Sequence, residues 1–458
     1  MGRAFEQFSN RRSSGRVCDS RGRVADTTPF DVVLHRTLST PRLHTLPNGL
    51  RIVALPMPWR QTASLSVFVR TGSLHETRAQ NGISHVVEHM AFKGTATRDC
   101  QRINLDAERL GAEVNAHTDK DHTAFHIEGL PHDLPTFVAQ IADIVRHSTF
   151  PADELERERQ VIQHEFTEFD EDPVTIAFDL FDKASYGDQH PAGRPVIGNR
   201  ANIKRFTRDD LLAYVQQQYT ACNVVVAAAG PVDEAALIAA TERAFGDMPR
   251  GEPNTVPPPE WHGGVKLRRL SGSAQCQIVL GFAAPPLADD AHLADVLAAA
   301  LLGEGMSSPL LDEIRERRGL AYQVGCSADV YPLASQFVID GATEPAQAEA
   351  FITEVARLLR QHAEHIDEEG LTRARNQISV RALRALEQPA KRMEVAAQEL
   401  FTFGRLREPG EWLARLKAVD AAQVQRVFQR MLASRAAVGL AGSVPAKLKD
   451  RAAELYAV

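Results

Sequence analysis

Gly82-Ile83-Ser84-His85-Val86-Val87-Glu88-His89-Met90-Ala91-Phe92-Lys93-Gly94 decides how the rest of the chain is read. Its centre, His85-Val86-Val87-Glu88-His89, sets two imidazoles and one carboxylate at positions i, i+3 and i+4. Residues three and four apart are neighbours on a helix surface, so the three share one face. From that face both rings can reach a single Zn²⁺ at about 2.0–2.1 Å, the usual Zn–N distance. Glu88 then stands where it can take a proton from a nearby water. With 16 His in the chain, chance alone yields this pattern in on the order of a few per cent of such proteins. The pattern therefore needs a third ligand.

Catalytic zinc normally takes three protein ligands and leaves a fourth position open, so a His, Asp or Glu is expected on another helix. The segment from Ala152 to Phe166 reads as a long amphipathic helix with Leu155, Val161, Ile162 and Phe166 on or near one stripe. Glu158 and Glu165 lie seven residues apart, two turns, and point the same way. Most Glu on such a helix are solvated surface charges. Spacing alone leaves open which of them would bind a metal.

The order H-x-x-E-H is the inverted zincin pattern, and the chain resembles the pitrilysin family of metallopeptidases. The likeness is to its short, half-length branch, which includes mitochondrial processing peptidase. In that family the third ligand is a Glu about 76 residues beyond the second His, within a pattern like E-R-x-V-I-x-E-E. Glu165 follows His89 by that distance, and Glu158-Arg159-Gln160-Val161-Ile162 precedes it. The resemblance thus implies His85, His89 and Glu165 as ligands of one Zn²⁺ per chain. It implies Glu88 as the base and Glu158 as an accessory carboxylate. His164 departs from the family, where many members carry another Glu. The likeness spans residues 40–440: Leu46-Pro47-Asn48-Gly49-Leu50-Arg51, Phe92-Lys93-Gly94-Thr95, Asn115-Ala116-His117-Thr118, and His190-Pro191 with Pro195-Val196-Ile197-Gly198 all match.

Composition is that of an ordinary soluble globular protein. The chain has 458 residues, 44% hydrophobic and 24% charged, a length that suggests two to four domains. A net charge of −7 argues against a nucleic-acid binder, and no apolar run approaches the roughly 18 residues a membrane span needs. Cys18, Cys100, Cys222, Cys276 and Cys326 are odd in number and form no C-x-x-C, so reduced thiols in a reducing compartment are expected. The arginine excess through the whole chain points to a bacterial cytoplasm. Residues 1–40 mix Arg with Ser and Gly and read as a disordered tail rather than a secretory signal, with an organellar targeting segment as the weaker reading.

The remainder reads as a repeat. Gly251-Glu252-Pro253-Asn254-Thr255-Val256-Pro257-Pro258-Pro259 is a linker stiffened by proline, which gives a zinc-binding domain over 41–248, a linker over 249–263 and a second homologous domain over 264–458. In each half a strand precedes a helix, paired strands follow, and a strand closes the unit: Leu65–Val69, Glu113–His117, Thr123–Glu128 and Asn223–Gly230 against Cys276–Phe282, Ala321–Ala328, Gln336–Gly341 and Ala436–Gly442. The expected fold is α+β: two duplicated α/β domains, each a mixed, largely antiparallel sheet with helices packed on one face, together half of a clamshell. The second copy has no metal pattern along Leu293–Leu301.

In the family the second half contributes an Arg and a Tyr within R-x-x-x-G-L-x-Y, matched here by Arg315 through Tyr322. The resemblance implies that Tyr322 steadies the oxyanion and Arg315 a substrate carbonyl. It further implies that a peptide lies as an added strand along Asn115 and Ala116. Two departures fall in the glycine-rich loop, Glu304 and Pro309, and glutamate adopts positive φ less readily than glycine. His117, His122 and His126 read as structural or surface residues. Two chains enclose a chamber in relatives of this length, so a homodimer is expected, or a heterodimer with a related subunit. A non-catalytic structural relative is the rival reading.

Overall fold

The structure is a computed structural model that describes residues 39–456 apart from 409. The expectation for the N-terminal tail lies, for residues 1–38, outside the described residues. Two mixed sheets organise the rest. The first runs β1 (Arg42–Thr45), β2 (Arg51–Pro56), β6 (Val224–Gly230), β3 (Ala63–Val69), β5 (Thr123–Gly129), β4 (Glu113–Thr118) in spatial order. The second runs β7 (Gly264–Arg269), β11 (Ala437–Gly442), β8 (Cys276–Ala283), β10 (Gln336–Thr343), β9 (Ala321–Asp329). One parallel pair, β2–β6 or β7–β11, sits among antiparallel neighbours in each. Apart from β1, the two orders superimpose strand for strand. The expected duplication is present as two α/β domains.

Strand chemistry follows position. Val224–Gly230 is a continuous run of small and branched apolar residues, all buried, as a strand covered on both faces requires. β4 alternates exposed and half-buried residues and forms an open edge, which leaves alternate backbone groups unpaired.

Helices cover one face of each sheet, and the other face is closed by a helix from the opposite half. Met393, Ala396, Ala397, Leu400 and Phe401 of the helix Pro389–Phe403 pack on Val53, Leu55, Phe68, Val225 and Ala227 of the first sheet. Ile176, Ala177, Phe181 and Ala184 of Pro173–Tyr186 pack on Val279, Val338, Ala437 and Ala441 of the second. The second contact is close: a Cβ on Gly439 would lie 2.1 Å from the Ala177 carbonyl oxygen. Deleting a buried Phe such as Phe181 from a core costs about 3–5 kcal/mol. Among the described residues no helix is long and apolar enough to cross a membrane.

Candidate metal centre

His85, Glu88 and His89 lie on the helix Ile83–Ala91, which buries Ile83, Val86, Val87, Met90 and Ala91 and leaves those three half-buried on the remaining face. The start of this helix is braced. Gly82 holds φ +100°, and a Cβ there would meet the Ile197 carbonyl at 2.9 Å. Gly198, at φ +82°, faces it so closely that a Cβ would stand 2.4 Å from Gly82 Cα. The matched segment Pro195–Gly198 thus serves as the seat of the motif helix.

A buried carboxylate caps the same end. Glu76 accepts from Gly82 N (2.8 Å), Ser84 N (2.9 Å) and Asn81 Nδ2 (3.1 Å). Burial pushes its carboxyl up in spite of these donors. Ser84 Oγ is 2.7 Å from the hydroxyl of buried Tyr214, itself 3.0 Å from Thr71 Oγ1. Sequence reading missed Glu76 because nothing marks a cap six residues upstream. Its only local trace is an acid ahead of the Asn81-Gly82 turn.

The helix Ala152–Glu171 supplies the carboxylates, burying Leu155, Glu158, Ile162 and Phe166 as one stripe. Val161 departs from the expected stripe and is exposed, since the helix packs along a narrower line than the apolar pattern suggests. Glu165 meets both rings, with Oε2 3.7 Å from His85 Nε2 and Oε1 3.4 Å from His89 Nε2. The two rings stand edge to face, centroids 4.6 Å apart. Glu158 grips the far side of His89, Oε2 3.1 Å from Nδ1, while its Oε1 is 2.6 Å from Lys93 Nζ. His164 is exposed and lies outside this cluster.

The donor set fits a divalent ion. Two imidazole nitrogens and one carboxylate oxygen, all within 4.8 Å of one another, are a His₂Glu set of the kind that holds catalytic zinc and leaves a position free. Three ligands about 2.0–2.2 Å from one tetrahedral ion stand roughly 3.3–3.6 Å apart. Glu165 Oε1 to His89 Nε2, at 3.4 Å, falls at that spacing, and Oε2 to His85 Nε2, at 3.7 Å, lies just beyond it.

Electrostatics sort the group further. Burial, with His89 adding, pushes His85 down to about 3, so this ring is neutral and its nitrogen free to ligate. Burial opposes charge on His89 too, but the Glu158 hydrogen bond and the Glu165 charge outweigh it and raise the ring. Burial raises Glu88 against the hydrogen bond it accepts from Thr118 Oγ1 at 2.7 Å. Burial likewise raises Glu165, with His89 opposing. Glu158 moves the other way: burial favours its neutral form, but His89 and Lys93 hold it ionised. Thr118 and Lys93 are the partners that sequence reading passed over. Each lies inside a matched segment, and Lys93 follows His89 by four residues.

The other candidates lie elsewhere. Asn115 is exposed on the edge strand β4, its own Oδ1 accepting from Ala116 N at 2.8 Å, and Ala116 is half-buried beside it. Arg315 sits on the π-helical turn Leu311–Arg317, its guanidinium 4.8 Å from the centre of the Tyr322 ring. Tyr322 is 75% exposed on β9, the edge of the second sheet. Among the described residues no hydrogen bond, ion pair or ring contact joins this pair to His85, His89 or Glu165. In the glycine-rich loop, Glu304 takes an extended φ of −94° and pairs with Arg381 at 2.8 Å, while Gly305 carries the positive φ of +86°. The Glu departure therefore costs no strain.

Residues 51–200 match the family described as Insulinase (Peptidase family M16), and residues 205–378 match the Peptidase M16 inactive domain. An uncharacterised zinc protease of Mycobacterium tuberculosis is 33% identical over 412 residues, 88% of this chain and 93% of that protein. One from Rickettsia bellii is 31% identical over 398 residues, covering 87% and 96%. Among solved structures, a protease from Helicobacter pylori superimposes with a TM-score of 0.81 at 22% identity over 88% of this chain and all of that one. That last likeness concerns the fold.

Proposed function

The chain belongs to the M16, insulinase-like peptidase family, and from that premise we propose that it is a zinc-dependent endopeptidase acting on extended or unfolded peptides. The observation that carries the reading is the convergence of His85 Nε2, His89 Nε2 and Glu165 beside Glu88. His85, His89 and Glu165 would hold one Zn²⁺, with Glu158 orienting His89. When bound, Zn²⁺ supplies Lewis acidity, which acidifies water and polarises a carbonyl oxygen.

The chain's own residues do the rest. Glu88, raised by burial, takes the proton of the attacking water and later gives it to the leaving amine, a role worth about 10²–10⁴ in rate. Thr118 holds Glu88 in position through its 2.7 Å hydrogen bond. The open edge of β4 at Asn115 and Ala116 would pair with substrate backbone, which gives affinity with little demand on sequence. That geometry selects extended chains over folded ones.

Tyr322 and Arg315 would steady the oxyanion and a neighbouring carbonyl. Because this pair makes no contact with the triad, we read the working unit as a homodimer in which two chains face one another. A heterodimer with a related subunit would serve the same geometry. We assign metal binding to residues 41–248 and substrate handling to 264–458, joined by 249–263. The widely spaced cysteines suit a reducing compartment, so we read the protein as cytoplasmic, with the organellar targeting segment as the weaker alternative.

The test is Glu88→Gln. Purified wild type and variant should carry equal zinc by elemental analysis, while chelator-sensitive cleavage of unstructured fluorogenic peptides falls at least about a hundredfold in the variant. Cleavage that persists at the wild-type rate would remove Glu88 from the mechanism. Failure of the wild type to take up zinc would favour the non-catalytic relative.

A further inference from the structure

On the side of the first sheet away from the motif helix lies a second group of metal-ligating side chains. His122, Ala124 and His126 alternate along β5 and its lead-in, and His117 of β4 pairs with Ala124 across the strands. Ala124 also pairs with Phe68, which packs on the helix Pro389–Phe403. His117 is therefore on the opposite face from Thr118, the partner of Glu88. His117 is exposed and His122 buried.

Two distances separate the nitrogens of His122 by role. Nδ1 is 2.8 Å from Asp121 Oδ1, the length of a hydrogen bond and shorter than two ligands of one ion normally stand apart. Nε2 is 3.4 Å from His117 Nε2, long for an N–H···N bond. Two nitrogens bound at about 2.0–2.1 Å to one tetrahedral ion stand roughly 3.3–3.4 Å apart. Asp121 thus holds the proton on Nδ1 and turns the other nitrogen toward His117, the carboxylate–histidine arrangement that typically backs a metal ligand.

The surroundings favour a cation. Asp119 offers a carboxylate within 4.8 Å of ligand atoms of Asp121 and His122. Glu394 acts electrostatically on both rings from the neighbouring helix. Lys391 lies there too, but is paired with Glu394 at 2.9 Å. Lys120, the one cation in the turn, points away to Asp182 at 2.6 Å and to the Ala192 carbonyl.

We propose that His117 and His122 form a second metal site, positioned by Asp121 and taking an imidazole-seeking divalent ion such as Zn²⁺, Cu²⁺ or Ni²⁺. Such ions favour nitrogen ligands of this kind, and the exposed ring of His117 opens the site to solvent. With two protein ligands, solvent completes the coordination, so the site is weaker than the triad. It shares no residue with the triad, and its existence does not depend on peptidase activity.

The experiment counts ions. Whole protein stripped of metal is dialysed against Zn²⁺ and analysed for zinc per chain, with Co²⁺ absorption as a second readout of nitrogen ligation. The expected counts are two for wild type, one for His117→Gln, one for His89→Ala and none for the double variant. His117 is exposed, so its replacement leaves the fold intact; His122→Gln, at a buried position, repeats the test. One ion in wild type, none in His117→Gln and one in His89→Ala would keep this site and sink the triad instead. Equal uptake by wild type and His117→Gln, or no uptake by His89→Ala, would overturn the second site.

Discussion

Replacing Glu158 by Gln isolates how much an outer carboxylate does for the metal. Glu158 is not in the triad, yet it binds the far nitrogen of His89 at 3.1 Å and the ammonium of Lys93 at 2.6 Å, with its side chain 8% exposed. Such partners fix the ring and raise its basicity, and their loss typically costs 10–100-fold in metal affinity. The amide of Gln keeps one oxygen able to accept from His89 Nδ1–H, so the ring stays oriented but loses the charge behind it. Its NH₂ group must then face a Lys93 left without its anion. The lower end of the range follows for Glu158→Gln: about tenfold weaker zinc binding, or about 1.4 kcal/mol. Glu158→Ala removes the acceptor as well and should approach a hundredfold, about 2.8 kcal/mol. Zinc affinity measured against a chromophoric chelator gives the number, and thermal unfolding of the metal-free proteins reports what the unpaired lysine costs the fold. Affinities within about twofold of wild type for both variants would refute the coupling of Glu158 to the metal through His89.

Thr118→Val removes the 2.7 Å bond to Glu88. A hydrogen bond to a charged group is worth about 1.5–3 kcal/mol, so kcat should fall roughly ten- to a hundredfold with zinc content unchanged; an unaltered kcat would deny Thr118 its positioning role. Gly198→Ala drives a Cβ against Gly82 and forces alanine to φ +82°. It should cost at least about 1–3 kcal/mol of stability, read as a lowered melting temperature, and a wild-type melt would contradict the close packing. Chelation of zinc should also lower the melting temperature: an ion at 100 times its Kd stabilises by about 2.7 kcal/mol. Measured in His117→Gln, where only the triad remains, a melting temperature indifferent to zinc would count against the ligand set.

The motif face was legible because it is local: three residues within one turn and a half carry their geometry in their spacing. Glu165 was not, since seven-residue spacing on the second helix left several carboxylates equivalent, and family resemblance made the choice. The strands emerged from apolar runs such as Val224–Gly230, and their order repeats because the halves repeat. What escaped was long-range. Glu76 caps a helix it does not precede directly, and Gly82 meets Gly198 across more than a hundred residues. Val161 continues an apolar pattern yet faces solvent, because packing geometry rather than composition set the buried line. Glu304 departs from the glycine pattern of its loop, yet the positive φ falls on Gly305 rather than on the glutamate.

The crossing of helices between the halves has a consequence for synthesis. The first sheet has all its strands once Gly230 is made, yet one face stays bare until Phe403 appears, roughly 170 residues later. At about 5–20 residues per second, that is roughly nine to thirty-five seconds with Val53, Phe68, Val225 and Ala227 uncovered on the nascent chain. The debt runs both ways, since the second sheet is closed by a helix made long before it. Neither half can be finished without the other, and a translating ribosome would hold a partly clothed intermediate until the chain is complete.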